Sequence, residues 1–332
     1  MLIKVNNNNI HYIKSGNQES NKTILFIHGS AMTGILMERV YNLLPEFNNI
    51  SLDLPGHNKS EGELLSTPEL LADFITDFIK EMKLKGEITD DLTVAGYSLG
   101  GCITLELALR RVSDVKRIVV LNSCDFANSE LAKIVPDFYE DYDPSNVFSI
   151  VFGSKSTPKE TSTYFAEHRS SSLASYTDLK AATSYVLKDF NKIYIPTMFI
   201  ACGQDKLAPI ENIKKLHSMI QNSSLSIIPF YGHLGILETP ETYAQNIKDF
   251  INYNGFPEID GHKFEHFIHS IPHLSDTLFH EEINKTFQLV IDSLKEDNPA
   301  VAEKYAYSVA FSLYDDPNAK DPFWSNSAKS LV

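Results

Sequence analysis

The stretch Gly96-Tyr97-Ser98-Leu99-Gly100 decides the fold of this chain. It follows the apolar run Leu92–Ala95 and precedes Cys102–Leu109, whose apolar residues have helical spacing. A serine with a glycine two residues away on each side, at a strand-to-helix junction, is typical of a nucleophile elbow. Side chains at positions 96 and 100 would collide with the neighbouring strand and helix. The pattern therefore predicts a tight turn that exposes the Ser98 hydroxyl.

A helix that begins directly after Ser98 would direct its free N–H groups towards the hydroxyl. Its positive dipole end would lie at the same place, where an oxyanion could form. The five-residue pattern alone is weak, because Gly-rich turns also connect ordinary strands and helices. Other parts of the chain must support a catalytic role.

Composition narrows the class of protein. A length of 332 residues suits one large α/β domain with additions, or two domains, and 43% hydrophobic residues indicate a real core. The net charge of −14, from 29 basic and 43 acidic residues, argues against nucleic acid and anionic membranes as partners.

The cysteines, and the absence of a recognisable targeting signal, predict a cytoplasmic protein. The three cysteines, Cys102, Cys124 and Cys202, lie in apolar segments, and we expect buried, reduced thiols. The N-terminus has no apolar region typical of a secretory signal. No apolar run approaches the length of a membrane span, so no membrane-spanning segment is predicted.

Short apolar runs alternate with segments of helical spacing. The predicted strands are residues 2–5, 10–14, 23–28, 50–54, 92–95, 117–121, 195–202 and 225–229, and the predicted helices are about 34–44, 68–85, 102–109, 209–220 and 241–253. The first two strands read as an antiparallel hairpin, and the rest alternate as βαβ units. The sequence predicts an α/β fold with a mostly parallel, doubly wound sheet.

The alternation breaks between residues 126 and 190, a segment rich in aromatic residues. We interpret it as a helical cap inserted over the carboxyl edge of the sheet. The predicted domains are thus a core of residues 1–125 and 191–254, a cap of residues 126–190, and an acidic helical extension of residues 255–332 of unknown role.

Three polar residues each follow the end of a predicted strand. They are Ser98, Asp205 and His233. In doubly wound sheets, ligands bind at that edge. A serine hydroxyl needs an adjacent base, and the base needs an acid that fixes its tautomer. Asp125, which also follows a strand, is the alternative acid, although Asp205 is favoured.

His28-Gly29-Ser30 closes the third predicted strand. Its glycine allows the backbone to turn so that the N–H of Ser30 points at a developing oxyanion, beside the N–H of Leu99. These two amides are the predicted oxyanion hole.

Together these motifs resemble the α/β-hydrolase superfamily, in the branch with an HG oxyanion motif and an inserted cap. The matching stretches, within residues 1–254, are His28–Ser30, Asp53–Ser60, Gly96–Gly101, Gly203–Asp205 and Gly232-His233. The order Ser, Asp, His along the chain is the family's order. Asn58 replaces a glycine that is usual in the family, and it also tolerates a left-handed backbone. Serine at the elbow speaks against the dehalogenase and epoxide-hydrolase branches, which have aspartate there.

The resemblance implies a serine hydrolase that works through an acyl-enzyme and needs no metal or organic cofactor. His28, His57 and Asp53 are expected to be structural, bracing two loops. The apolar residues near the oxyanion turn and the aromatic cap suggest a small, mostly apolar substrate. Met32, Tyr97, Phe138 and Tyr164 are predicted to contact it.

We therefore expect a carboxylesterase or small lipase. A thioesterase, an amidase or a hydrolase of carbon–carbon bonds would use the same residues. A hydrolase-fold binding protein with a silent triad is the alternative from another class. The sequence leaves the oligomeric state open.

The last stretch, residues 255–332, contains 13 acidic and 6 basic residues. Its histidines at 262, 266, 269 and 273 would form one stripe on a helix. A metal site is one interpretation of this stripe, but Pro272 interrupts the helix, and a solvated face is the favoured interpretation.

Overall fold

A computed structural model describes residues 1–129, 132 and 148–252. Eight strands form one sheet: β1 (Leu2–Val5), β2 (Asn8–Gly16), β3 (Lys22–Ile27), β4 (Asn48–Leu52), β5 (Asp91–Tyr97), β6 (Val115–Leu121), β7 (Thr197–Cys202) and β8 (Ser223–Ile228). Their order is β1-β2-β4-β3-β5-β6-β7-β8. The hairpin β1–β2 and the pair β2–β4 are antiparallel, and all other pairs are parallel. The predicted mostly parallel α/β sheet is confirmed.

The helices mostly follow the predicted alternation. They are α1 (Glu38–Tyr41), α2 (Pro68–Leu84), α3 (Leu99–Leu109), α4 (Phe148–Val151), α5 (Pro158–His168), α6 (Ser172–Ser184), α7 (Ile210–Met219), α8 (Gly235–Glu238) and α9 (Pro240–Asn252). Short 3-10 turns lie at Gly34–Met37, Phe126–Asn128 and Phe190–Lys192. None of the described helices combines the length and apolarity that crossing a bilayer requires.

The predicted helix over residues 34–44 is present but shorter, and it begins as a 3-10 turn. The structure has the 3-10 turn Gly34–Met37 followed by the four-residue α1. The Gly34 N–H donates to Asp53 and the Gly34 carbonyl accepts from the Ser51 hydroxyl. These long-range bonds hold the first turn against the β4 edge, so tertiary contacts override the helical spacing.

The core lies on both faces of the central strands. All residues of β4 and β7 are buried, and α3 is buried along almost its whole length. Such two-sided burial explains why β7 reads as a continuous apolar run rather than an alternating one. The Thr67 side chain caps α2 by accepting from the Leu70 N–H, as its place before Pro68 predicts.

Between β6 and β7 the described α-helices are α4, α5 and α6, and no strand lies among the described residues there. This agrees with the helical insertion expected there, although its role as a cap stays a prediction. We call residues 126–190 the insertion. Phe138, the 255–332 extension and its histidine stripe lie outside the described residues, so those predictions stay untested.

Candidate active site

Ser98 lies between β5 and α3, at the carboxyl edge of the sheet. Its backbone has φ 53° and ψ −117°, a conformation that residues with a side chain rarely adopt. It is held there because its N–H donates to Leu121 of β6 and its carbonyl accepts from Gly101. Ser98 is therefore the apex of a strained strand-to-helix turn.

The two glycines of the motif are needed for space. A Cβ atom at Gly96 would lie 2.0 Å from the Gly100 carbonyl oxygen, and one at Gly100 would lie 2.3 Å from the Ile27 carbonyl oxygen of β3. Neither overlap can be relieved by a side-chain rotation, because both contacts are with backbone. The predicted collisions with strand and helix are confirmed.

The three polar strand-end residues meet at one place. His233 Nε2 lies 3.0 Å from Ser98 Oγ, and His233 Nδ1 lies 2.8 Å from Asp205 Oδ2. All three are buried, with Ser98 6% exposed. Among the described residues, Asp205 rather than Asp125 is the carboxylate in contact with His233. The arrangement is that of a hydrogen-bonded nucleophile, base and acid.

The surroundings of Asp205 fix the tautomer of the imidazole. Asp205 Oδ1 accepts from the amides of Leu207 and Ala208, both at 2.9 Å. Its Oδ2 accepts from His233 Nδ1, because an ionised carboxylate has no proton to donate. His233 therefore carries its proton on Nδ1, and Nε2 is left to accept from the Ser98 hydroxyl.

A second group of residues supports the acid, and the sequence analysis missed it. The Asn122 side-chain amide donates to Asp205 Oδ2 at 3.0 Å, and Asn122 Oδ1 accepts from the Tyr243 hydroxyl at 2.5 Å. Tyr243 Oη also lies 3.2 Å from Cys202 Sγ. Burial raises the pKa of the Cys202 thiol to about 12, so it stays protonated and can donate. Asn122 was detectable as a polar residue directly after β6; Tyr243, inside an amphipathic helix, was not.

The predicted oxyanion amides lie on either side of Ser98. Leu99 N–H is in the first turn of α3, where backbone donors lack helical partners. A Cβ atom at Gly29 would lie 3.0 Å from Ser98 Cβ, so the Gly29–Ser30 turn closely approaches the nucleophile. Neither the Ser30 nor the Leu99 N–H donates to an acceptor in the part of the chain that the structure describes. Both are available to a negatively charged oxygen.

His28 sets the direction of the Ser30 N–H. The Gly29 carbonyl lies 2.9 Å from His28 Nδ1 and accepts from Met32 N–H at 3.3 Å. In a trans peptide the N–H points opposite to the carbonyl, so holding Gly29 O orients the Ser30 N–H. His28 Nε2 accepts from the Leu54 N–H at 3.1 Å, which requires a neutral ring with its proton on Nδ1. Burial, with the nearby His57 ring, lowers the pKa of His28 to about 4 and keeps it neutral.

Asp53 ties several loops together at the same edge. Its Oδ1 accepts from Gly34 N–H, and its Oδ2 lies 2.8 Å from both His11 Nδ1 and the Asn58 amide nitrogen. Asn58 has φ +45°, the left-handed region that asparagine tolerates. The structural role expected of Asp53 agrees with these contacts.

The residues predicted to touch substrate have varied surroundings. Met32 is buried beside the oxyanion turn, and Tyr97 is buried with its hydroxyl 2.5 Å from the His233 carbonyl oxygen and its ring 5.3 Å from the imidazole. Tyr164 is half-buried, donates to Glu38 at 2.6 Å and stacks under the Arg39 guanidinium. Tyr97 thus supports the His233 loop. Substrate contact by Met32, Tyr97 and Tyr164 stays a prediction.

The insertion is joined to the loop that carries His233. Glu238, at the end of α8, accepts from the Ser156 hydroxyl, the Thr157 N–H and the Thr161 hydroxyl. Leu234 N–H also donates to the Val151 carbonyl. These bonds connect the end of α4 and the N-terminal end of α5 to the segment after His233.

Two further expectations concern cysteine and metal. Cys102, Cys124 and Cys202 are free and buried, as expected. Within residues 1–129, 132 and 148–252, no group of three or more His, Cys, Asp or Glu side chains could hold a metal ion.

Comparison with known proteins gives one family. A profile of the alpha/beta hydrolase family matches residues 24–246, which include every proposed catalytic and oxyanion residue. The match covers more than half of the chain and ends before the 255–332 extension.

The names of individual relatives state different substrates and reactions. The pimeloyl-[acyl-carrier protein] methyl ester esterase of Nitrosomonas europaea is 24% identical over 71% of this chain and 96% of its own length. The 2-hydroxy-6-oxo-6-(2'-aminophenyl)hexa-2,4-dienoic acid hydrolase of Metapseudomonas resinovorans is 21% identical over 73% and 87%. The crystal structure of a lipase-esterase related protein from Clostridium acetobutylicum superposes with a TM-score of 0.67 at 26% identity, covering 73% of this chain and 99% of that one.

Proposed function

Because this chain belongs to the alpha/beta hydrolase family, we propose that it is a serine hydrolase that cleaves an ester, or a related acyl bond, of a small and mostly apolar substrate. The observation that carries the proposal is the unbroken hydrogen-bond chain from Asp205 through His233 to Ser98. Names of relatives with ester-cleaving activity support the same reaction class.

The first half-reaction forms an acyl-enzyme. Ser98 Oγ attacks the acyl carbonyl carbon while His233 Nε2 removes the hydroxyl proton. The imidazolium that forms is stabilised by the Asp205 carboxylate. The C–O bond to the leaving alcohol then breaks, and His233 Nε2 gives its proton to the alcohol oxygen.

The second half-reaction regenerates the enzyme. A water molecule takes the place of the alcohol, gives a proton to His233 Nε2 and attacks the acyl carbon. The bond to Ser98 Oγ breaks, the proton returns to that oxygen, and the carboxylic acid leaves. Both tetrahedral intermediates carry an oxyanion, which the Ser30 and Leu99 amides would bind.

The positive end of α3 adds to this stabilisation. Its first-turn N–H groups face the nucleophile, and helix N-termini favour negative charge by about 0.3–1 kcal/mol at exposed sites and more where water is excluded. Ser98 and His233 are buried, so water is largely excluded here. The donors are fixed before the reaction, so no reorganisation is needed when the charge appears.

Apolar groups around the catalytic residues favour an uncharged substrate. The Phe126 ring lies edge-on to the His233 ring at 6.5 Å, and Met32 is buried near the oxyanion turn. We propose that the insertion acts as a cap that completes this apolar surface, with Phe138 and Tyr164 among its substrate contacts.

The carbon–carbon hydrolase among the relatives makes that reaction the second candidate. It would use the same three residues. A panel of p-nitrophenyl esters of increasing acyl length, one acyl thioester, one anilide and one 2-hydroxy-6-oxo-dienoic acid compares the candidates directly. The class with the highest kcat/KM identifies the bond cleaved.

A fluorophosphonate probe tests the nucleophile independently of substrate choice. We expect labelling of the wild type at Ser98, identified by mass spectrometry, and its loss in Ser98→Ala. Ser218→Ala is the control, because Ser218 is exposed on α7 and bonds only within that helix. A folded wild type that neither reacts with the probe nor turns over any substrate of the panel would favour the binding-protein alternative.

A further inference from the structure

Helix α6 of the insertion carries a buried carboxylate that contacts the oxyanion turn. Asp178 is 1% exposed, and its Oδ2 accepts from the Ala31 N–H at 3.2 Å. Ala31 directly follows Ser30, whose amide is a proposed oxyanion donor. A side chain 147 positions away along the chain thus bonds the backbone of this turn.

The turn needs such support because its backbone is strained. Ala31 has φ +62°, and a left-handed conformation costs a residue with a side chain about 1–2 kcal/mol. The Ala31 carbonyl accepts from the Ser170 N–H at 3.0 Å. Both backbone polar groups of Ala31 are therefore bound by the insertion, rather than by the core domain.

His57 meets the same carboxylate. Its Nε2 lies 2.9 Å from Asp178 Oδ2, and its Nδ1 lies 3.0 Å from the Pro55 carbonyl oxygen. Both neighbouring atoms can only accept hydrogen bonds. A neutral imidazole has one N–H and could satisfy one of them, whereas an imidazolium satisfies both.

The charged groups around His57 favour the same protonation state. Asp178 faces it from α6 and Asp53 from the end of β4, and these carboxylates outweigh desolvation and raise the pKa of His57 above 6.5. Another titratable neighbour among the described residues is His28, directly after β3, whose ring centroid lies 5.1 Å away. His28 is held neutral by its bond from Leu54 N–H, so it adds no competing positive charge.

We infer that His57 and Asp178 form a buried imidazolium–carboxylate pair through which the insertion holds the turn that carries the Ser30 amide. Both are positioning residues, since neither touches Ser98 or His233. The inference rests on the proposed function, because the turn matters for rate only if an oxyanion forms there. It gives the insertion a role in catalysis in addition to covering the site.

The variant Asp178→Asn separates charge from shape. If its amide oxygen faces the pair, it accepts from Ala31 but opposes the lone pair of a neutral His57 Nε2. If its amide nitrogen faces the pair, it satisfies His57 but leaves the Ala31 N–H without an acceptor. One hydrogen bond of the cluster is lost in either orientation: the bond to His57 in the first, and the bond that holds the Ala31 turn in the second. Either loss breaks the link from His57 through residue 178 to the turn.

Histidine ring NMR tests the pair without any substrate. In protein labelled with ¹⁵N-histidine, we expect His57, assigned by its absence in His57→Gln, to have protons on both ring nitrogens at pH 6, because its pKa is raised above 6.5. In Asp178→Asn we expect a neutral ring at the same pH. A neutral His57 in the wild type would overturn the inference, whatever the protein hydrolyses.

Labelling kinetics test the positioning role. We expect the fluorophosphonate rate constant, and kcat for the best ester, to fall about tenfold to a hundredfold in Asp178→Asn with little change in KM. Tyr185→Phe is the matched control, because it removes another buried bond between insertion and core, 3.0 Å to Glu106, away from the turn. Equal losses in both variants would show a general loosening of the insertion and overturn the inference.

The pH profile gives a further signature. The pair is intact below the raised pKa of His57 and is lost as pH rises through it, so wild-type labelling should decline on that alkaline side. In Asp178→Asn the decline should move to lower pH. Failure of the wild type to label at any pH contradicts the proposed function instead, and unchanged profiles in a labelled Asp178→Asn contradict the pair.

Discussion

The Nε2 atom of His233 lies 3.0 Å from the Oγ atom of Ser98, although 135 positions separate the two residues. The distance suits a hydrogen bond, and the imidazole can accept it because its proton is held on Nδ1 by Asp205. Three strand ends supply the three side chains. The sheet therefore does the positioning, and each loop adds only a few residues.

Asp205→Asn should lower kcat about 10³- to 10⁴-fold. The amide oxygen would turn to the Leu207 and Ala208 N–H groups, and the amide nitrogen would face His233 Nδ1. The imidazole proton would then move to Nε2, where it faces Ser98 and prevents proton removal. Steady-state kinetics with the best ester measure the loss.

Asp125→Asn is the comparison for this variant. Asp125 also follows a strand and is buried, so a general effect of removing a buried charge would appear in both. A larger loss of kcat in Asp125→Asn than in Asp205→Asn would assign the acid to Asp125.

Tyr243→Phe should weaken the support of the acid without removing a catalytic group. Without the phenol, Asn122 Oδ1 is left buried and unpaired, which costs about 1–3 kcal/mol of unfolding free energy. We expect kcat to fall several-fold with KM unchanged, since Asn122 holds Asp205 and not the substrate. Urea unfolding and ester kinetics together measure both effects.

Tyr185→Phe separates the two effects, because it deletes a buried tyrosine hydroxyl bonded to Glu106. It should lose some stability, although Glu106 keeps Lys188 as a partner, and it should retain kcat. A Tyr243→Phe enzyme with wild-type kcat would show that the Asn122–Tyr243 contact is only structural.

Features that depend on residues near in sequence were predictable, and features that depend on distant residues were not. The elbow was predictable because Gly96 and Gly100 report a local steric need, and Asp205 and His233 because strand ends converge at one edge of a parallel sheet. Asp178 was not predictable. It is one carboxylate inside a helix, and its partners His57 and Ala31 lie 121 and 147 positions away.

The same reason explains why the helix after β3 is shorter than predicted and begins as a 3-10 turn. The spacing of apolar residues over 34–44 is helical, yet Gly34 is bound by Asp53 and Ser51 of another strand end. The direction of the Tyr97 hydroxyl, towards the His233 carbonyl oxygen, likewise depends on a residue 136 positions away, and substrate contact by Tyr97 stays a prediction.

Because of His28, the free energy of unfolding should fall as the pH is lowered from 6.5 to 4. Its pKa is about 4 in the folded state against 6.5 in the unfolded state, so in this range the unfolded state binds the extra proton. This group alone lowers the free energy of unfolding by about 1.4 kcal/mol for each pH unit of acidification, and the effect stops below pH 4. Denaturant unfolding at several pH values measures the slope.

In His28→Gln, the dependence of the unfolding free energy on pH should be smaller by about 1.4 kcal/mol for each pH unit, the contribution of one proton. His168→Gln is the control, because His168 lies at the end of α5 and bonds within that helix. Equal pH slopes for His28→Gln and the wild type would contradict a lowered pKa of His28. Should His28→Gln fail to fold, ring NMR of wild-type His28 gives the pKa directly, and a value near 6.5 would contradict it equally.

Gly96→Ala should prevent formation of the elbow even though its backbone has no unusual φ. The added Cβ atom would lie 2.0 Å from the Gly100 carbonyl oxygen and 2.3 Å from Thr104 Oγ1, so either β5 or the start of α3 must move. Such overlap in a packed core costs several kcal/mol, more than the roughly 1–3 kcal/mol of ordinary overpacking. Gly86→Ala is the opposite case: Gly86 has φ +71° but open space around its Cβ position. It should lose only about 1–2 kcal/mol and retain full probe labelling. If Gly96→Ala keeps wild-type stability and labels at the wild-type rate, the strained turn at Ser98 does not depend on this contact.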